Sequence, residues 1–91
     1  MKVKWDGEEL TPEIGQYVFG GTPSILLKDD DGNPWVKATV YVDGLEDDEV
    51  AIKDYSENEG VLDALLEAKI VAPPHRFVEQ GWVRIPVCRL L

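Results

Sequence analysis

Residues 24–42 read SILLKDDDGNPWVKATVYV, and this stretch decides the fold that the sequence predicts. Two arms rich in apolar residues, Ser24 to Lys28 and Trp35 to Val42, flank an acidic segment that ends in glycine, asparagine and proline. These three residue types suit turn geometry, so the pattern predicts a β-hairpin. In the second arm apolar residues alternate with polar or aromatic ones, which predicts a strand with one apolar face.

Turn signals recur along the rest of the chain and predict further short strands. These are expected at Lys2 to Trp5, Gln16 to Phe19, Val50 to Tyr55, Arg76 to Glu79 and Trp82 to Leu90. Pro86 cannot donate a ladder hydrogen bond. The last strand is therefore expected to lie at a sheet edge or to bend at this proline.

One helix is predicted, over residues 57–70. Ser56-Glu57-Asn58-Glu59 matches a capping box, with serine at the N-cap and glutamate three residues later. Apolar residues then repeat at helical spacing from Val61 to Leu66, and Pro73 lies beyond the end. The predicted fold class is α+β. It consists of a mostly antiparallel sheet with this helix packed on one face, in a single domain of residues 1–91.

The charge of the chain is unevenly distributed. Its 91 residues have a formal net charge of −9. Residues 1–67 hold 17 acids against five lysines, whereas residues 68–91 hold four basic residues against one acid. Such acidity argues against direct binding to nucleic acids or to anionic membrane surfaces. The charged N-terminus, the short apolar runs and the single cysteine favour a cytoplasmic location.

The sequence does not match the motifs of calcium sites, zinc sites or catalytic carboxylate pairs. An EF-hand alignment with Gly32 at the sixth position puts Leu27 first and Ala38 twelfth, and neither side chain can bind calcium. Zinc sites need several cysteines or histidines, but the chain has only His75 and Cys88. A catalytic carboxylate pair needs a cleft that raises one pKa, but the acids here cluster in turns where solvent is plentiful. The sequence therefore predicts no catalytic residue, no cofactor and no metal site.

Binding of a protein partner is the leading hypothesis, as an accessory or inhibitory domain. Two acidic turns would face a partner with a basic surface, and an exposed tryptophan would anchor it. The predicted contact residues are Asp29, Asp30, Asp31, Glu46, Asp47, Asp48, Glu49 and Trp82. Two alternatives stay open: a nucleic-acid mimic that inhibits a DNA-binding protein, and a self-associating structural protein. A monomer and a homodimer are both compatible with the sequence.

A family resemblance begins at residues 50–58, which read VAIKDYSEN. With Gly60, the apolar helix, Pro73, Gly81 and Pro86, this segment resembles a family of short uncharacterised proteins of bacteria and mobile elements, a domain of unknown function. The resemblance covers about residues 24–90. It implies a setting on a plasmid, phage or conjugative element, and it implies no activity, cofactor or site residue.

Overall fold

The computed structural model describes residues 2–91, whose strands form two four-stranded antiparallel sheets. The first sheet has the order β1 (Val3–Trp5), β2 (Glu8–Gln16), β3 (Pro23–Lys28), β4 (Pro34–Lys37). The second has the order β5 (Thr39–Val40), β6 (Glu49–Ile52), β8 (Val83–Arg89), β7 (Arg76–Gln80). A 3-10 turn at Ser56–Asn58 precedes the helix α1 (Val61–Glu67).

The predicted α+β class is wrong, because the described chain is mostly β-sheet and α1 has only seven residues. The prediction treated residues 35–42 as one strand, but the chain changes sheet at Ala38. This buried residue donates its N–H to the Ile25 carbonyl of β3 (2.9 Å). Its own carbonyl accepts the N–H of Lys53, next to β6 (2.9 Å). One predicted sheet therefore becomes two.

The core lies on both faces of the second sheet. The main cluster unites residues from both sheets with α1; its members include Val3, Leu10, Ile25, Leu27, Val50, Ile52, Leu65 and Cys88. A smaller cluster forms on the opposite face of the second sheet around Val42, Ala51 and Ile85. Alternation along β6 explains the division, since successive strand residues point to opposite faces.

The helix starts later and ends earlier than predicted. Ser56 has a φ of 53° and its side chain makes no capping bond. Asp54 takes that role, because its Oδ1 accepts the N–H groups of Gly60 and Leu62, both at 3.0 Å. At the other end Lys69 adopts a φ of 61°, which stops the helix in a Schellman motif. No helix within residues 2–91 is long and apolar enough to cross a membrane.

The last strand was predicted to lie at a sheet edge or to bend at Pro86, and the edge position is wrong, because β8 lies between β6 and β7. Pairing with β6 stops at Ala51–Val87, so the next residue, Pro86, pairs only with Phe77 of β7. The two-residue turn between β7 and β8 sets the ladder so that the nitrogen of residue 86 points away from β7. A proline there breaks no ladder hydrogen bond.

Candidate functional site

In the first acidic turn, between β3 and β4, two of the three carboxylates already bond within the chain. Asp29 accepts the backbone N–H groups of Asp31 (3.0 Å) and Asn33 (2.8 Å), so its carboxylate builds the turn. Asp30 forms an ion pair with Lys2 at 3.0 Å. Asp31 is exposed. Of the three predicted contact residues, Asp31 is therefore the most available to a partner.

The second acidic turn, before β6, is bound to the end of β8. Arg89 forms ion pairs with Glu46 (2.8 Å) and Asp48 (2.5 Å). Asp47 is exposed between them. Glu49 was predicted to lie exposed in this turn, and that prediction is wrong, because the side chain is only 1% accessible. Strand β6 begins at Glu49 and directs it inward.

Buried Glu49 is the centre of a polar network. Arg76 donates to both carboxylate oxygens, at 2.7 and 3.1 Å, and the N–H of Glu46 donates at 2.8 Å. The Nε2 of His75 lies 2.5 Å from the same carboxylate. The Arg76 hydrogen bonds lower the pKa of Glu49 to about 2, although burial opposes the shift. Glu49 is therefore ionised at neutral pH, and its carboxylate holds Arg76, His75 and the Glu46 backbone together.

Residues typical of catalysis are separated in the fold. Cys88 is fully buried in the main core, and burial raises the pKa of its thiol to about 11. His75 is held by Glu49 instead. Within residues 2–91 no cluster of three or more His, Cys, Asp or Glu residues can hold a metal ion. Two surface depressions, of about 210 and 350 Å³, are lined by neither His75 nor Cys88.

Trp82 lies at the tip of the β7–β8 hairpin rather than inside a strand. Its side chain is fully exposed. Gly81 supplies the positive φ of 58° that the first position of a tight turn needs. Beside the tip, the guanidinium of Arg84 lies 4.1 Å from the centre of the half-exposed Phe77 ring. A role for Trp82 in binding stays a prediction.

The tip of the β2–β3 hairpin was not predicted from the sequence. Residues Gln16 to Phe19 were predicted as a strand, but β2 ends at Gln16 and Tyr17 bonds to Thr22 across a tight loop (2.9 Å). This leaves Val18 95% and Phe19 75% exposed. The sequence does contain a signal for this tip. Two large apolar residues stand directly before Gly-Gly, and a turn does not require such residues, so their presence there indicates a possible contact surface.

Aromatic side chains pack together at the base of this tip. Tyr17 and Tyr41 pack edge to face with centroids 5.6 Å apart. The Tyr17 hydroxyl bonds to Thr39 (2.9 Å), and burial raises the Tyr17 pKa. The Tyr41 hydroxyl donates to Asp43 (2.7 Å), which also raises the pKa of Tyr41. Val18 and Phe19 form the apolar tip, and Tyr17 and Tyr41 form its aromatic base.

Comparisons with known proteins add no relative to these observations. No family model matches the chain. No curated protein and no solved structure matches it either.

Proposed function

We propose that this chain is a small protein-binding domain whose apolar tip docks into a nonpolar recess on a partner. The observation that carries the proposal is the exposure of Val18 (95%) and Phe19 (75%) at the end of a hairpin. Water contact with two adjacent large apolar side chains is unfavourable, and burial against a partner removes it. The aromatic base holds the tip in place, so docking costs little ordering entropy.

The partner surface around that recess is expected to be basic. The chain carries a net charge of −9, and Asp43 lies next to the tip through its bond to Tyr41. Opposite charge on the rim speeds association and selects partners more than it adds affinity. The resemblance to mobile-element proteins suggests an accessory role for such a domain.

Mimicry of a nucleic acid has less support. A mimic needs carboxylates free to imitate a row of phosphates, but Asp29 is bonded in its turn and Glu49 is buried. Glu46 and Asp48 share Arg89. The acids that were predicted to contact a partner are thus largely engaged within the chain, which favours the apolar tip as the contact.

Site-specific photocrosslinking in the native host tests the proposal. A benzophenone amino acid placed at position 19 should capture one protein species, and the same group at the exposed helix residue Glu67 is the matched control. Purified wild-type chain should compete with capture. The variant Phe19→Ser should compete poorly, since loss of an anchoring aromatic costs about 2 kcal/mol or more of binding free energy.

Two results would count against the apolar tip. One is equal capture from positions 19 and 67. The other is equal competition by wild type and Phe19→Ser. Raised salt separates the two components of binding, because it screens the acidic rim and leaves apolar contact intact. The proposal expects weaker but persistent capture.

A further inference from the structure

Strand β7 is the least protected sheet edge in the described chain. On the first sheet, β1 packs beside α1. Strand β4 begins with Pro34, which lacks an N–H, and its Lys37 carbonyl accepts the side-chain amide of Asn58 (2.7 Å). Strand β5 has two residues. Strand β7 has five residues and none of these covers, and edges of this kind pair readily with another strand.

The β7–β8 turn determines which backbone groups of β7 are free. A two-residue turn closes on a hydrogen-bonded pair, here Gln80 and Val83. Alternate residues of β7 therefore bond to β8, and those between them, Phe77 and Glu79, direct their N–H and C=O groups outward. Neither residue makes another backbone hydrogen bond within residues 2–91. The open edge thus offers two donors and two acceptors.

We propose that two copies of this chain pair through β7, antiparallel about a two-fold axis, so that their second sheets join into one continuous sheet. With Val78 opposite Val78 of the second copy, Phe77 lies opposite Glu79 of that copy. Each outward N–H then meets an outward C=O, which gives four main-chain hydrogen bonds between the copies. The contact is self-complementary, as a two-fold interface must be.

Side-chain charges favour this register. Arg84 and Glu79 are cross-strand neighbours on one face of the sheet, and Arg84 lies over Phe77. Neither charge forms an ion pair within residues 2–91. In the dimer, Glu79 of the second copy comes beside Phe77 and therefore beside Arg84. The arrangement supplies an inter-chain ion pair, and it does so twice.

Two further features single out a second copy as the occupant. Strand β7 belongs to residues 68–91, which hold four basic residues and one acid, whereas the other three edges belong to the strongly acidic residues 1–67. Strand β7 itself carries one base and one acid, Arg76 and Glu79, and in this register neither lies opposite a like charge, whereas β1 and β4 each carry a lysine and no acid. The same register carries the exposed Trp82 toward Pro74 of the second copy, and tryptophan is a frequent interface anchor.

Sedimentation equilibrium of the full chain over a range of concentrations tests the dimer. Wild type should show a monomer–dimer equilibrium. Glu79→Arg and Arg84→Glu should each weaken dimerisation by about tenfold, because each dimer contains the altered contact twice. An equimolar mixture of the two variants should recover dimers. In the mixed dimer the altered charges meet their opposites across the interface, although each chain keeps its own like-charged pair.

A monomeric wild type at the highest soluble concentration would overturn the proposal. Two single variants that stay monomeric when mixed would also overturn it, provided that circular dichroism shows both to be folded. If either variant fails to fold, Glu79→Pro is measured instead. A proline on an edge strand removes only an outward N–H, so this variant should fold and should dimerise more weakly than wild type. Dimerisation equal to that of wild type would overturn the proposal. Phe19→Ser should dimerise like wild type, which separates this interface from the apolar tip.

Discussion

Glu49 is buried although its local sequence predicts an exposed turn residue, and its hydrogen bonds determine how much stability a substitution would remove. Its side chain is 1% accessible and bound by Arg76 and His75, whose own side chains are 41% and 34% accessible. We expect Glu49→Gln to lower the free energy of unfolding by roughly 2 kcal/mol, after allowing for solvent screening of those partners. Urea unfolding measures it. Asp47→Asn, in the same turn but exposed, is the control and should change stability by less than about 0.5 kcal/mol.

The lowered pKa of Glu49 also predicts a pH dependence. The pKa is about 2 in the folded chain against an ordinary value of 4.5, so the unfolded chain takes up its proton first as pH falls. The stabilisation is complete above pH 4.5 and is lost progressively as pH falls toward about 2. Unfolding free energies of wild type and Glu49→Gln should therefore converge over this interval. A constant difference between them would contradict the assignment.

The sequence could not reveal this network because its members are distant in the chain. Glu49 directly follows three acidic turn residues, at positions 46–48, so the local composition predicted a solvent-exposed side chain. Arg76 lies 27 positions later, and only the pairing of β6 with β8, and of β8 with β7, brings the two together.

At the scale of elements, the start of α1 depends on Asp54 rather than on the predicted serine cap. Replacing Asp54 with Ala removes the acceptor for two backbone N–H groups, at Gly60 and Leu62. We expect a loss of about 1–2 kcal/mol in unfolding free energy. Ser56→Ala is the matched control and should cost less than about 0.5 kcal/mol, because its hydroxyl caps nothing. Thermal or urea unfolding measures both variants. A larger loss for Ser56→Ala than for Asp54→Ala would show that the serine, and not the aspartate, caps the helix.

Strand positions were more predictable than the helix ends or the sheet order. Alternation and turn residues correctly placed strands near Val3–Trp5, Pro23–Lys28 and Arg76–Gln80. The predicted capping box at Ser56 does not form. Gly60 has a left-handed φ of 95°, so the chain turns there and α1 begins only at Val61. The edge assignment of β8 failed for another reason. A proline prevents pairing only with a neighbouring strand that would accept its N–H. The pairing of β6 with β8 stops at Val87, one residue before Pro86, so no such bond is needed.

At the scale of the whole molecule, Thr39 helps to join the two sheets. It belongs to β5 of the second sheet, is 2% exposed, and its Oγ1 accepts the N–H of Ile25 in β3 of the first (3.2 Å). The Tyr17 hydroxyl bonds to the same oxygen (2.9 Å), so the apolar tip is tied to this junction as well. The one-sheet prediction missed the junction because it read residues 35–42 as a single strand.

Thr39→Val tests this junction because it keeps the shape of the side chain and removes the acceptor. The buried N–H of Ile25 is then left unpaired, and we expect a loss of about 1–3 kcal/mol in unfolding free energy. Tyr17→Phe removes the other bond to the same oxygen but leaves the Ile25 contact, so it should cost less than about 1 kcal/mol. If Tyr17→Phe is the more damaging change, the sheets are held together chiefly through the base of the apolar tip. The thiol of buried Cys88 offers a second readout, since its labelling rate should rise as the sheets separate more often.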